Sequence, residues 1–297
     1  MMRGAWMAVG AGFCFATMGA LIRVASAELD NAMIVFLRNI FGLLLLTPWL
    51  IRLRWHGLRT QRLGLHFTRT LFGLSAMYCF FYAIPRLHLA EAVLLNYSAP
   101  LFIPIMAWFY LKERHRPAVY MAILIGFGGV ALLMKPGSAM LSMAGLIGLC
   151  SGVLAAVAMV SIRRMSDTEP SARIVFYFTI FSVLISILPA LWDATMPTSH
   201  AILIMLVAGG FATAGQLLLT GAYARAPAAR VASLVYSTVL FAGLYGWIFW
   251  GETHGLESLL GTVLIVGAGV AAATLGVRRS AVEADAPLPP VRQQGSS

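Results

Sequence analysis

Arg38 is the one strongly basic side chain well inside an apolar run, and a guanidinium there is costly unless something pairs with it. Its natural chemistry is to hold a carboxylate, a substrate's or a protein partner's. Glu91, at the head of a later apolar run, is a candidate internal partner; a structural pair or snorkelling to the interface is the plain alternative. Other polar groups recur at helical spacing. Tyr78 and Tyr82 are four residues apart, hence on one helical face, with Ser75 nearby. Asn96 and Tyr97 precede Pro100 and Pro104, and proline removes a backbone donor and kinks a helix, freeing carbonyls for other partners. Thr213, Gln216, Thr220 and Tyr223 alternate three- and four-residue steps and so line one stripe, and Tyr236, Ser237 and Thr238 follow in a later run. Polar side chains in lipid must turn inward or pair. One reading is a polar, aromatic cavity for a small amphipathic molecule: tyrosines stack on an apolar ring, Asn96 and Gln216 fix polar groups, and Arg38 holds a carboxylate. The plainer reading is that these hydroxyls tie helices together. The candidate binding residues are therefore Arg38, Tyr78, Tyr82, Asn96, Tyr97, Gln216 and Tyr236.

Enzyme chemistry finds little purchase. There are no paired carboxylates, no nucleophile beside a base and no metal-ligand spacing, so neither catalytic residues nor a cofactor or metal is expected. His56, His66, His88, His115, His200 and His254 fall in loops or at the ends of apolar runs. Phosphate-loop, nucleophile-elbow, HExxH and EF-hand patterns are all missing, so the chain is not expected to drive itself with ATP. Cys14, Cys79 and Cys150 sit in apolar runs and read as small buried apolar residues, neither disulfides nor ligands.

The elements that must position these residues follow from composition. Of the 297 residues 60% are hydrophobic and 11% charged, against about 25% charged in a soluble domain, and the mean hydropathy is +0.85. Such a chain cannot cover itself with polar surface, so its solvent is lipid. The net charge of +10 is better explained by basic cytoplasmic loops than by nucleic acid, which is not expected as a partner. A span needs about 20 apolar residues. The segments that qualify are Gly4–Val24, Ala32–Ile51, Phe67–Ile84, Leu89–Tyr110, Pro117–Met134, Met143–Ile162, Ala172–Leu191, Ala201–Ala224, Ala228–Phe249 and Leu256–Val277, ten in all. Short connections predict that sequence neighbours pack as antiparallel partners. The termini and alternate loops carry nearly all the Lys and Arg, whereas the opposite loops hold only Arg23, Arg86 and Lys135, which predicts a multi-pass inner-membrane protein with both termini cytoplasmic. Trp6, Trp55, Trp108, Trp192 and Trp250 fall near span ends, as interfacial anchors do. The run after Arg3 is of span length with no cleavage site behind it, so it reads as a span and not a signal peptide.

The chain contains one unit twice. Sliding Glu91–Glu113 onto Arg230–Glu252 places Leu95 on Leu234, Tyr97 on Tyr236, Ser98 on Ser237, Leu101 on Leu240, Phe102 on Phe241, Trp108 on Trp247 and Glu113 on Glu252. One residue of further offset places Arg23 on Arg163, Ser26 on Ser166, Ile34-Val35-Phe36 on Ile174-Val175-Phe176 and Gly129-Val130-Ala131 on Gly269-Val270-Ala271. A repeat of this length divides the chain into residues 1–137, 138–279 and a disordered tail, 280–297. Five spans per half is an odd number, so the second half enters the membrane from the opposite side. The expected fold is an all-α membrane protein of ten transmembrane helices in two inverted five-helix repeats, a design that supports alternating access. Glycines in three runs (Gly145, Gly148, Gly152; Gly126, Gly128, Gly129; Gly261, Gly267, Gly269) allow close helix packing or, more weakly, a homodimer face; monomer and homodimer both stay open. Glu113 and Glu252, at equivalent helix ends, are expected to pair with nearby backbone or basic groups.

Taken together these residues resemble the EamA branch of the drug/metabolite transporter superfamily over about residues 4–277. The likeness rests on the two five-span repeats, on Phe36-Leu37-Arg38-Asn39-Ile40-Phe41-Gly42-Leu43, on Ala92-Val93-Leu94-Leu95-Asn96-Tyr97-Ser98-Ala99-Pro100, and on the helix-ending Leu111-Lys112-Glu113 and Trp250-Gly251-Glu252. The resemblance implies a secondary transporter that exports small metabolites such as amino acids, aromatic ones included, through a cavity between the repeats. Relatives elsewhere in the superfamily import cofactors or S-adenosylmethionine, which is one alternative; a passive channel or lipid scramblase is another. Many members carry a proline aligned with Pro100 in the ninth span. Here Val239 stands there, and Gly243 faces Pro104, so a fully symmetric gating motion is not implied.

Overall fold

The computed structural model describes residues 2–52, 59–111, 117–133, 142–165, 168–192, 196–223, 225, 231, 234–253 and 255–284. The chain is all-helical there. Its elements are α1 (Met2–Ala25), α2 (Asn31–Arg52), α3 (Leu63–Ala83), α4 (Leu89–Asn96), α5 (Ala99–Leu111), α6 (Pro117–Leu133), α7 (Met143–Met165), α8 (Ser171–Trp192), α9 (Ser199–Tyr223), α10 (Ser237–Trp250) and α11 (Leu256–Ala284). Among the described residues, five segments are long and apolar enough to cross a bilayer: Arg3–Ala25, Leu89–Phe109, Met143–Ile162, Arg173–Trp192 and Ser199–Leu219. Asn31–Thr47, Pro117–Leu132, Ser237–Trp250 and Leu256–Ala271 are shorter apolar helices. α3 opens on His66, Thr68, Arg69 and Thr70, which makes its first turns polar. α11 continues to Ala284, past the start of the stretch expected to be a disordered tail; residues 285–297 lie outside the described residues, as do Lys112, Glu113 and Arg230.

The bundle has its apolar side chains outward as well as inward. Leu188 is 72% exposed, Leu240 74% and Trp192 94%, whereas Asn39, Ser151, Ser182 and Ser186 are wholly buried. That distribution suits a hydrocarbon surround, where the polar groups are the ones that must be satisfied internally. The core draws on every helix from α1 to α11, with Ile22, Ile34, Leu89, Leu94, Leu95, Leu101, Met205 and Ile265 fully buried.

Sequence neighbours are not the main packing partners, contrary to what the short connections predicted. The most extensive contacts join α1 to α9, α3 to α7 and α6 to α11, with α2 against α8 and α9, α1 against α10, and α7 against α4 and α5. Elements of the first half are interleaved with those of the second, so loop length says little about who touches whom.

The expected fourth span is two helices. α4 stops at Asn96 and α5 begins at Ala99. Pro100 has no N–H to give to the Asn96 carbonyl, and its ring would clash there. Tyr97 turns out of the helix at φ −77, ψ 4, and Ser98 Oγ donates to the Leu95 carbonyl at 2.6 Å. The equivalent place in the second half also breaks. Tyr236 is a turn residue before α10, although Val239 replaces the proline. There Thr238 Oγ1 donates to the Val235 carbonyl at 2.6 Å and Val239 N–H to the Tyr236 carbonyl at 3.0 Å. A hydroxyl competing for a backbone carbonyl does part of what proline does in the first half.

Each break is approached by a glycine of the other half. A Cβ on Gly152 in α7 would meet the Leu95 carbonyl oxygen at 2.5 Å and Ser98 Oγ at 2.6 Å. A Cβ on Gly12 in α1 would meet Ser237 Oγ and the Thr238 backbone nitrogen, the latter at 3.0 Å. Gly148, Gly126, Gly129 and Gly269 likewise admit neighbouring helices, while Gly128 and Gly267 face open space. Cys14 is buried and Cys79 half-buried as small apolar residues should be, but Cys150 is exposed on α7, beside Cys79 of α3, where a thiol is apolar enough for lipid.

Candidate functional site

A charged cluster between α2, α3 and α8 runs from mid-bundle, at Arg38, toward the end where α1 begins. Arg38 lies two turns into α2; its Nη1 donates to Asn39 Oδ1 at 3.0 Å. Arg69 lies two turns into α3, with its guanidinium carbon 3.5 Å from the centre of the Phe178 ring on α8. The two arginines are within electrostatic reach of each other. Gly73, one turn beyond Arg69, makes the arrangement fit: a Cβ there would meet Arg69 Nη1 at 2.7 Å and Phe178 Cε2 at 3.2 Å. Three donors of this group, Arg38 Nε and Arg69 Nε and Nη1, are buried and bond to nothing among the described residues, and the same holds for Asn39 Nδ2 and the Ser182 hydroxyl.

Closer to that end, His66 is buried with its ring 4.6 Å from that of Tyr177, and its Nε2 is 3.6 Å from Glu169 Oε2. Glu169, in the α7–α8 connection, accepts from Arg173 Nη1 at 2.8 Å and from Thr60 Oγ1 at 2.5 Å. Burial alone would raise the Glu169 carboxyl, but the Thr60 and Arg173 hydrogen bonds and the charges of Arg173 and His66 outweigh it and hold it below the ordinary carboxylate value.

The far end, where α1 finishes, is tied by a second network. Glu252, 6% exposed after α10, takes Arg23 on one oxygen and the Leu89 N–H, the first of α4, on the other at 2.9 Å. Arg23 also stacks on Trp250 at 4.6 Å, so Trp250 is a packing partner there and not simply an interfacial anchor. The expectation that Glu252 pairs with backbone and basic groups holds on both counts. Glu28 accepts from Thr198 Oγ1 at 2.5 Å and from His200 Nδ1 at 2.9 Å, linking the α1–α2 turn to the start of α9.

The candidates named from sequence distribute as follows. Arg38 does not pair with Glu91; that carboxylate accepts from Ser258 Oγ at 3.2 Å and lies 3.5 Å from His88 Nδ1. Tyr78 receives Asn31 Nδ2 on its backbone carbonyl at 2.9 Å, and its own hydroxyl is buried with no partner among the described residues. The Tyr82 ring lies 3.7 Å beneath the Arg86 guanidinium. Asn96 Nδ2 donates to Ser151 Oγ at 3.1 Å, joining α4 to α7. Tyr97 packs against the buried cluster of Ala8, Ala222, Val231 and Val235, Gln216 is half-buried on α9, and Tyr236 is buried against Gly269 of α11. Thr220 and Tyr223, which completed the α9 stripe, have side chains outside the described residues. Tyr78, Tyr82, Tyr97 and Tyr236 all border one core.

Two cavities can be outlined among the described residues, and none of the seven candidates lines either. One, of about 330 Å³, opens at the far end between Ser26, Asp30, Asn31, Phe81, Pro85 and Arg86. The other, about 430 Å³, is an apolar groove between α6 and α11 lined by Met121, Ile125, Val263 and Leu264.

Arg69, His66 and Glu169 were missed by sequence reading because Arg69 counted as a loop cation and His66 as a span-end histidine. The signal that was there is Arg69 four residues before Gly73, a spacing that leaves room for the guanidinium to lie along its own helix.

The chain is similar to known proteins along most of its length. The EamA-like transporter family profile matches residues 2–135 and again 142–274. The pseudopaline exporter CntI of Pseudomonas aeruginosa is 36% identical over 271 residues, covering 90% of this chain and 95% of its own. The riboflavin transporter of Brucella anthropi is 26% identical over 248 residues, 81% of this chain and 87% of its own. A solved crystal structure with 20% identity shares the fold at a TM-score of 0.62, over 92% of this chain and 98% of its own.

Proposed function

The chain belongs to the EamA-like transporter family, and from that premise we propose that it is an inner-membrane secondary transporter exporting small amphipathic metabolites, amino acids and their derivatives foremost, by alternating access. In this reading α4 and α5 together make one span, the segment ending in α10 makes another, and ten spans fall into two inverted halves, residues 1–137 and 138–279.

The observation that carries it is the exchange of packing partners between the halves. α1 packs on α9 as α7 packs on α3; Gly12 of α1 meets the break before α10 as Gly152 of α7 meets the break between α4 and α5. Gly12 and Gly152 occupy equivalent repeat positions. Two halves related in this way can trade conformations, which supplies states open to either side. Arg38 would hold the carboxylate of the substrate, and the tyrosine-bordered core its apolar part. Arg and Lys concentrated in alternate loops support cytoplasmic termini. The exporter name of the Pseudomonas relative favours outward transport; the riboflavin name of the Brucella relative warns that family membership does not choose the solute.

The test is counterflow in vesicles holding the purified full-length protein, with an amino-acid panel. Saturable exchange of some members and not others is expected. Flux that neither saturates nor discriminates would point to a channel or scramblase, and no flux of any solute would remove the transporter reading.

A further inference from the structure

We propose that Arg38 and Arg69 form a single two-guanidinium site that selects substrates carrying two carboxylates. The inference rests on the transporter reading above and names the substrate class of its charged region.

Two like charges at this depth need compensation. Arg38 and Arg69 are both half-buried, lie on neighbouring apolar helices and repel each other. Among the described residues no carboxylate bonds to either guanidinium. The carboxylate of this cluster, Glu169, is engaged by Arg173 and Thr60. An intramembrane cation left without a counter-charge marks a functional site, and here there are two.

The surroundings preserve that lack of compensation instead of relieving it. Phe178 takes the flat face of Arg69, which leaves the in-plane N–H groups free for a planar acceptor. Gly73 opens the space in which that guanidinium lies. Asn39 turns its carbonyl oxygen to Arg38, so its amide nitrogen stays available as a further donor beside the same charge. The buried polar atoms that bond to nothing here among the described residues, Arg38 Nε, Arg69 Nε and Nη1, Asn39 Nδ2 and the Ser182 hydroxyl, can all donate. A monocarboxylate would neutralise one guanidinium and strand the other. A second carboxylate on the same molecule answers both, and each guanidinium can offer a planar carboxylate two parallel N–H bonds. Because Arg38 is restrained by Asn39 and Arg69 by Phe178, each presents its own edge, which suits two separated carboxylates better than one compact phosphoryl group.

Counterflow into vesicles of the full-length protein tests this directly, with glutamate and 2-aminoadipate, leucine and phenylalanine, and phosphoserine as probes. The wild type is expected to exchange the dicarboxylates about tenfold better than the monocarboxylates. Arg69→Gln should collapse that ratio, and Arg69→Lys should restore part of it. The ratio within one preparation does not depend on how much protein is folded, and the wild-type preference alone tests the site if a variant cannot be purified. Exchange of leucine or phenylalanine with no dicarboxylate preference would overturn this inference and leave the transporter reading standing. So would a ratio unchanged in Arg69→Gln, or a preference for phosphoserine. Exchange of no probe at all overturns the two-carboxylate site, and only silence across the wider solute panel overturns transport as well.

Discussion

Truncating Glu252 should be among the most damaging single changes in this chain. Its side chain is 4% exposed, and each of its oxygens has a distinct partner: the Arg23 guanidinium, itself 17% exposed, and the N–H of Leu89. Glu252→Ala leaves the guanidinium with the Leu87 carbonyl at 3.4 Å and the Trp250 face. Breaking a buried ion pair from one side costs ~3–5 kcal/mol, and the residual exposure and the Trp250 face place this case at the lower end. The buried Leu89 N–H loses its acceptor at ~1–2 kcal/mol more. The sum is ~4–5 kcal/mol, with Glu252→Gln milder at ~2 kcal/mol because an amide oxygen still accepts from Leu89. Equilibrium unfolding in mixed micelles, run as a double-mutant cycle with Arg23→Gln, separates the contributions. A coupling of ~2 kcal/mol is expected. Glu252→Ala within ~1 kcal/mol of wild type, or a coupling below ~0.5 kcal/mol, would refute the idea that this carboxylate ties α1, α4 and α10 together.

Three further outcomes are expected. Glu169 has its folded-state value depressed, so the unfolded chain binds its proton more readily; the stability it lends is fully present above the ordinary carboxylate value of ~4.3 and is lost as pH falls below it. Thermal unfolding from pH 7 to 3 should therefore be flatter in Glu169→Gln than in wild type. Gly152→Ala drives a methyl into the Leu95 carbonyl, which cannot swing away as a side chain tip would, and should destabilise by ~1–3 kcal/mol in denaturant titration. Gly73→Ala presses on Arg69 and Phe178, whose tips can shift, so it should leave the unfolding midpoint nearly unchanged while weakening solute exchange by about tenfold, read in counterflow.

What sequence made legible was the pattern lipid imposes. Apolar runs of span length, basic residues in alternate loops and the repeated Leu-x-Tyr-Ser-x-x-Leu-Phe punctuation are all local or periodic signals, and they led to the helices and to the family. What it concealed depended on contacts between halves. Nothing in the local sequence of Arg69 says that Phe178 lies beneath it, and nothing around Glu252 says that Leu89 waits for an acceptor. Arg38 was singled out because it interrupts an apolar run; Arg69 was not, because it sits near the start of one, where a cation passes for part of a loop. Partner choice was misjudged for the same reason: short loops govern chain connectivity, whereas here the burial of α1 is governed by α9 and that of α3 by α7.

The two helix breaks show how a repeat can keep a geometry while losing the residue that first explains it. Pro100 forbids the bond to Asn96 in the first half, so the break there is enforced by covalent structure. In the second half Val239 keeps its N–H and still gives it to Tyr236, three residues back and not four, while Thr238 takes the Val235 carbonyl. That break is held by a hydroxyl and by the close approach of Gly12, both of which can let go. If the halves exchange conformations, the break before α10 is the one that can straighten, and the break after α4 is the one that cannot. Val239→Pro should then leave folding intact, because Val239 donates only within the turn, yet slow exchange in vesicles by fixing the second break as the first is fixed. Transport by Val239→Pro at the wild-type rate would mean that neither break changes shape during the cycle.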